Sequence, residues 1–158
     1  MPNNLCLCNP MAVSFVVLFA KLAIKFNSFD EEERGGLLTT FFGDHNTLTR
    51  LVESFQKSQD EVYNQHVDTK FLEVLVQLRR SGLFGKEDIQ QYELVHRVCN
   101  ESRYFERFQF LTNLDPLSLL QLNNYGQLPL YYSCYTRSIQ QFQVILDTYF
   151  FDTLPKKE

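Results

Sequence analysis

The chain has 158 residues, a mass of 18.7 kDa and a formal net charge of −4. This length is typical of one domain, and a globule of this size buries enough surface to fold without disulfides or metal. Hydrophobic residues make up 44% of the chain and charged residues 22%, which excludes an intrinsically disordered protein. The acidic balance and the lack of a dense Lys/Arg cluster argue against nucleic-acid binding.

The chain has four cysteines, Cys6, Cys8, Cys99 and Cys134. They are too few and too unevenly spread for the disulfide framework of a small secreted domain. The two N-terminal cysteines lack a second ligand pair, and the three histidines do not have the spacing of a zinc site. We therefore expect reduced thiols in a cytoplasmic protein that holds no metal and no cofactor.

Near the N-terminus, an apolar segment covers residues 11–26 and contains two charges, Lys21 and Lys25. In a helix these lysines would share one polar stripe with Ser14. No Lys or Arg precedes the segment and no small-residue cleavage site follows it, which disfavours a signal peptide. The favoured interpretation is a buried or docked helix or strand. The alternatives are a signal peptide or anchor, a helix at a membrane interface, and an unstructured leader.

Three weaker features follow the apolar segment. Residues 30–36, DEEERGG, predict a polar, flexible break and a domain boundary. Residues 37–42 form a short apolar and Thr-rich run that is strand-like or buried. Asp44 or Asn46 then has the position of an N-cap for an amphipathic helix that continues toward Tyr63. The apolar stripe of that helix comprises Leu48, Leu51, Val52 and Phe55.

The most strongly predicted helix begins after Asp68, which has the position of an N-cap. Apolar residues fill a wide face between residues 71 and 78. Arg79 and Arg80 suit the last turn, where the helix dipole favours cations. Gly82 is placed to end the helix in the left-handed conformation.

Residues 83–92 predict a connector, and two helical hairpins follow it. Pro129 suits the first turn of one of these helices, because its missing N–H has no intrahelical partner there. The four predicted helices cover residues 94–100, 104–113, 128–135 and 139–151.

The two hairpins repeat each other in sequence. Residues 94–99 align with residues 129–134 at an offset of 35, and residues 106–109 align with residues 140–143 at an offset of 34. The end of the preceding helix aligns more loosely at an offset of 33. A period of this length with two short helices per unit is typical of a solenoid, because each pair buries its apolar face only against a neighbour.

Residues 123–134, NNYGQLPLYYSC, resemble the ankyrin-repeat signature D/N-x-x-G-x-T-P-L-H-x-A-A/C. The preceding unit keeps His96 and Cys99, but it has Leu94 at the proline position and lacks the turn glycine. The resemblance covers about two and a half repeats over roughly residues 68–151 and implies an all-α solenoid. Together with the helical region predicted before it, we expect the segments 1–36 (apolar segment and break), 37–66 (helical region), 67–151 (repeats) and 152–158 (tail).

The resemblance also implies roles for individual residues. In the turn, Gly126 would take a positive φ, Pro129 would start the next helix, and His96 would hydrogen-bond to the backbone of the neighbouring loop. Leu130, Cys99 and Cys134 would pack between helices. Partner contacts are implied for the turn finger and the faces of the first helices. These positions are Asn123, Asn124, Tyr125 and Gln127 in the finger, and Arg97, Asn100, Tyr132 and Tyr135 on the helices.

No motif of a phosphate-binding loop, a serine hydrolase or a zinc protease occurs in the chain. We therefore expect a non-catalytic module that binds a protein partner, rather than an enzyme. The alternatives are a small membrane-tethered or secreted protein that acts through its N-terminal segment, and a truncated ankyrin paralogue without retained binding. The apolar last helix further predicts self-association at the C-terminal end.

Overall fold

The computed structural model describes residues 9–40, 43–53, 58–101 and 103–152. Across these ranges the regular structure consists of eight α-helices and three short 3₁₀ segments, without a strand. The all-α fold class is thereby confirmed. The chain divides into two compact units, Met1–Gly85 and Lys86–Glu158.

In the first unit, the apolar N-terminal segment is a helix docked by one face. A 3₁₀ segment, Val13–Phe15, leads into α1, Val16–Lys25. Both pack against the long helix α3, Glu61–Arg80. The residues that α1 and its leading turn bury are Val13, Val16, Val17 and Ala20. In the part of the chain that the structure describes, no helix is both long and apolar enough to cross a bilayer.

The predicted flexible break is an ordered turn. Asp30 and Glu33 form a capping box around the 3₁₀ segment Glu31–Glu33. Gly35 follows with a φ of +67°, and a Cβ at this position would collide with the carbonyl oxygen of Ala20. Because the backbone passes so close to α1, residues 30–36 lie within the first unit and do not form a boundary.

Helix α2, Thr47–Glu53, begins at one of the two predicted caps. Asn46 Oδ1 accepts a hydrogen bond of 3.0 Å from the backbone N–H of Thr49, and the Thr49 hydroxyl oxygen accepts one of 3.0 Å from the N–H of Asn46. Asn46, and not Asp44, is therefore the N-cap. Leu37 is buried in a segment without strand structure, while Phe55 lies outside the described residues.

The start of α3 corrects two predictions. Its N-cap is Asp60, whose Oδ1 accepts from the backbone N–H of Val62 at 3.0 Å. Asp68 lies in the second turn, is buried and is not a cap. The predicted boundary between residues 66 and 67 therefore falls inside one continuous helix of 20 residues. The pattern misled because the first two turns of α3 bury the polar Asn64 and Asp68 and expose Val62, so the apolar periodicity becomes visible only later.

The C-terminus of α3 confirms the predicted glycine stop. Gly82 has a φ of +71°. The backbone N–H of Leu83 donates to the carbonyl of Leu78 at 2.9 Å, and the N–H of Gly82 donates to the carbonyl of Arg79 at 3.1 Å. This pair of hydrogen bonds is a Schellman motif.

The second unit contains the two predicted hairpins, with helix ends that differ by about one residue. Where a connector was predicted over residues 83–92, the chain forms a short helix, α4, Lys86–Gln91. This helix is anchored by Asp115, a fully buried carboxylate whose Oδ1 lies 3.1 Å from Lys86 Nζ. Gln90 Nε2 donates to the other carboxylate oxygen at 2.6 Å. The remaining helices are α5, Leu94–Cys99; α6, Phe105–Leu114; α7, Pro129–Thr136; and α8, Ile139–Asp152.

The two hairpins pack helix by helix. Helix α5 packs against α6 and α7 against α8, while α5 also contacts α7 and α6 contacts α8. The core between them is apolar and includes Val95, Val98, Phe108, Leu111 and Ile145. Helix pairs thus cover residues 94–152. The loosely aligned earlier unit falls on α3, which is one long helix of the first unit and not a pair.

Candidate protein-interaction surface

The turn at residues 123–127 is organised by the side chain of Asn123. Asn123 Oδ1 accepts hydrogen bonds of 2.9 Å from the backbone N–H groups of Tyr125 and Gln127. Its backbone N–H and carbonyl also bond within the turn, to Gln127 and Gly126. Gly126 has a φ of +72°, as the turn prediction requires. Asn123 was predicted as a partner contact, but the structure buries it as the internal brace of the turn.

Tyr132 ties this turn to α7. Its hydroxyl accepts from Asn123 Nδ2 at 2.9 Å and donates to Gln127 Oε1 at 2.9 Å. The side chain is half-buried. Of the predicted contact residues, Tyr132 and Gln127 therefore have side chains engaged within the protein, where they fix the turn relative to the helix that Pro129 begins.

His96 joins the first hairpin to the same turn. Its Nε2 lies 3.0 Å from the backbone carbonyl oxygen of Gln127, so Nε2 carries the proton and donates. The ring is only 4% exposed and meets Tyr132 edge-on at 6.1 Å between centroids. Burial lowers the pKa of His96, although the Gln127 carbonyl and the charge of Glu93 act in the opposite direction. The hydrogen bond expected for His96 is thus present.

Further hydrogen bonds connect the two hairpins at both ends. Glu93 Oε1 accepts from the backbone N–H of Asn124 at 2.9 Å. At the opposite end of α7, Thr136 Oγ1 donates to the carbonyl of Cys99 at 3.3 Å. The fully buried Gln141 of α8 donates from Nε2 to the carbonyl of Glu101 at 3.1 Å. Sequence reasoning missed Gln141, because a glutamine in a polar pair predicts a solvated position.

Outside this network, large aromatic side chains face solvent. Tyr125, at the tip of the turn, is 83% exposed, and Tyr135 on α7 is 78% exposed. Tyr131 lies on the same face of α7 as Tyr135, because it precedes Tyr135 by four residues, and it is exposed; Cys134 is exposed as well. We call Tyr125, Tyr131 and Tyr135 the tyrosine surface. Tyr131 was not among the predicted contacts.

The other residues predicted to contact a partner differ in how exposed their side chains are. Asn100 and Asn124 are exposed. Arg97 is half-buried, and its Nε donates to the backbone carbonyl of Tyr92 at 2.9 Å.

Of the two cysteines predicted to pack between helices, Cys99 is buried, whereas Cys134 is exposed on α7 and does not pack there. Cys99 is fully buried, and burial raises the pKa of its thiol. Both Cys99 and Cys134 are free thiols. Among the described residues, no group of three or more His, Cys, Asp or Glu side chains could hold a metal ion. Leu130 is half-buried on α7, while Pro129 is buried at its first turn.

No family model, curated protein or solved structure matches this chain. The resemblance to ankyrin repeats therefore rests on the residues and contacts described above.

Proposed function

We propose that this chain is a non-catalytic protein-interaction module whose second unit consists of two stacked ankyrin-like helix pairs. The tyrosine surface and the exposed amide of Asn124 would contact the partner. One observation carries the proposal: the turn is fixed from within by buried Asn123, while Tyr125, two residues further on, is held in solvent.

The ankyrin-like architecture is supported by three independent observations. First helices pack against each other and second helices against each other, as expected for repeats in register. His96 bonds to the turn of the next unit, at the position where the signature has its histidine. Gly126 takes the left-handed conformation that the signature glycine serves.

A binding role follows from the chemistry of the exposed side chains. Tyrosine offers a large amphipathic surface with few rotatable bonds, and it is enriched at binding hot spots. Because the turn that carries Tyr125 is already hydrogen-bonded in place, little conformational entropy would be lost on binding. The tyrosine surface is uncharged, which favours a protein partner over a nucleic acid.

The absence of catalysis is supported by the state of the reactive groups. A catalytic cysteine needs an accessible thiolate, and burial of Cys99 opposes its ionisation. His96 is buried and donates to a carbonyl, which leaves it poorly placed as an acid or base. The free thiols also support placement of the module in the cytoplasm.

Affinity capture with the full chain tests this proposal. Wild type, the double variant Tyr125→Ala/Tyr135→Ala and the control Phe150→Ala are compared by quantitative mass spectrometry. Phe150 is an exposed aromatic residue on α8. We expect a specific protein whose recovery falls at least about tenfold with the double variant and is unchanged with the control. Equal recovery with all three proteins would contradict the proposal, provided that circular dichroism shows unchanged helicity.

Self-association remains a second candidate role for the C-terminal end. Ile139 and Phe150 of α8 are both exposed, which favours contact with a second copy. Light scattering of wild type and Phe150→Ser over a range of concentrations distinguishes the two roles. A wild-type protein that stays monomeric at high concentration would remove self-association and leave the proposed partner surface unaffected.

A further inference from the structure

The first unit presents an apolar surface that the proposed function does not use. The face of α1 opposite its buried residues is also apolar, and its side chains are between 38% and 69% exposed. Successive members are separated by three, one, three and four residues, so they form one continuous stripe on the helix. We call this set the outer stripe; it comprises Phe15, Leu18, Phe19, Leu22 and Phe26.

The two charged residues of α1 are both lysines. Lys21 and Lys25 line one edge of the outer stripe, together with Ser14. The first 29 residues contain no Asp or Glu and have a charge of +2. The remaining residues have a charge of −6, which gives the chain its net charge of −4. The segment that carries the outer stripe therefore has a net positive charge within an acidic chain.

The acidic turn that follows α1 approaches the helix from the other side. Gly35 lies against the backbone of Ala20 and the side chain of Ile24. Ala20 and Ile24 are four residues apart and lie on the side of α1 away from the middle of the outer stripe. The chain that follows the acidic turn therefore contacts α1, at Gly35, on the side away from the middle of the outer stripe.

We propose that the outer stripe docks onto an anionic lipid surface, with α1 lying in the plane of the membrane. An interfacial helix combines an apolar face rich in Phe and Leu with lysines that reach anionic headgroups. Helix α1 has both features, and no described helix is suited to crossing the bilayer. A second copy of the chain would supply two further lysines to the same patch and no carboxylate, so charge complementarity favours lipid. The proposal is independent of the tyrosine surface.

Tryptophan fluorescence gives a direct test, because the chain contains no Trp. Phe19→Trp places a single probe in the outer stripe, and Tyr135→Trp places one on α7 as a matched exposed control. Each full-length variant is titrated with vesicles of phosphatidylcholine alone and with vesicles that contain about 30 mol% phosphatidylserine. We expect a blue shift and quenching by brominated lipid for Phe19→Trp only, with a partition coefficient at least about tenfold higher on the anionic vesicles.

Two further variants separate the apolar and charged contributions. Leu18→Ser/Leu22→Ser should reduce partitioning at least about tenfold, whereas Val62→Ser, at an exposed apolar position on α3, should leave it unchanged. Lys21→Glu/Lys25→Glu should abolish the preference for anionic vesicles. Emission of Phe19→Trp that is unchanged by anionic vesicles, or that shifts equally with neutral ones, would overturn the proposal. A shift caused by protein concentration without lipid would assign the stripe to a second copy instead, and would also overturn it.

Discussion

His96 Nε2 lies 3.0 Å from the backbone carbonyl oxygen of Gln127, which joins a side chain of α5 to the turn that precedes α7. The same turn is bonded internally by Asn123 and externally to Tyr132. The buried side chain of His96 thus connects the first helix pair to the turn of the second through a hydrogen bond. The arrangement keeps the exposed Tyr125 in one position, while Asn123, two residues earlier, is buried.

The neutral form of His96 should make stability depend on pH. Burial lowers the pKa of His96 below its ordinary value of 6.5. The contribution of neutral His96 to the free energy of unfolding is therefore complete above pH 6.5, and it is lost as the pH falls through the lowered pKa of His96. We expect the melting temperature of wild type to fall on acidification more than that of His96→Gln, which retains a donor but does not titrate.

The exposed His66 on α3 provides the control for this experiment. His66→Gln should leave the wild-type pH dependence in place. Thermal melts followed by circular dichroism on both sides of pH 6.5 give the comparison. Equal acid sensitivity of wild type and His96→Gln would show that His96 does not carry the effect.

Replacement of Asn123 should be far more costly than replacement of its neighbour. Asn123→Ala removes the acceptor of two backbone N–H groups and the donor to Tyr132, so it should destabilise by about 2–3 kcal/mol. Asn124 is exposed and its bond to Glu93 uses only the backbone, so Asn124→Ala should cost less than about 0.5 kcal/mol. Urea denaturation measures both. Similar losses for the two variants would contradict the internal role of Asn123.

Substitutions of Gly126 test the backbone conformation of the turn. No atom lies within 4 Å of a Cβ built at this position, so the strain of a substitution comes from the positive φ alone. Gly126→Val should cost more than about 1 kcal/mol, and Gly126→Asn should cost less, because Asn tolerates the left-handed conformation. An unchanged melting temperature for Gly126→Val would remove the turn assignment.

Two glycines of the first unit separate backbone strain from steric contact. Gly35 and Gly82 have nearly equal φ, +67° and +71°, but a Cβ collides with Ala20 only at Gly35. Gly35→Ala should therefore destabilise by at least about 1 kcal/mol more than Gly82→Ala. Urea denaturation of both variants measures the difference. Equal costs would indicate that the segment after α1 does not pack against that helix.

The four hairpin helices of the second unit could be predicted from sequence, whereas the short helix α4 was predicted as a connector. Pro129 marks the start of α7, and the repeat offset fixes the neighbouring helices. The start of α3 could not be found in this way, since its cap, Asp60, precedes turns without visible apolar periodicity. A cap or an apolar repeat therefore predicts a helix start only where the residues that form the pattern lie close together in the sequence.

The candidate site was only partly predictable, because side-chain direction depends on tertiary contacts. Asn123 and Asn124 are the same residue type, yet the first is buried and the second exposed. Tyr131 and Tyr132 differ in the same way, since only Tyr132 reaches the turn. Likewise, the apolar segment 11–26 contains both the buried face of α1 and its outer stripe, which composition alone does not separate.

Site-specific photo-crosslinking tests the central claim most directly. A photoreactive phenylalanine replaces Tyr125 or Tyr135 in the full chain, and Glu106 on α6 serves as the control position. In living cells of the source organism, we predict the same protein adduct from both tyrosine positions and none from the control. No discrete adduct at Tyr125 and Tyr135, or identical adducts at all three positions, would contradict a partner-binding role for the tyrosine surface.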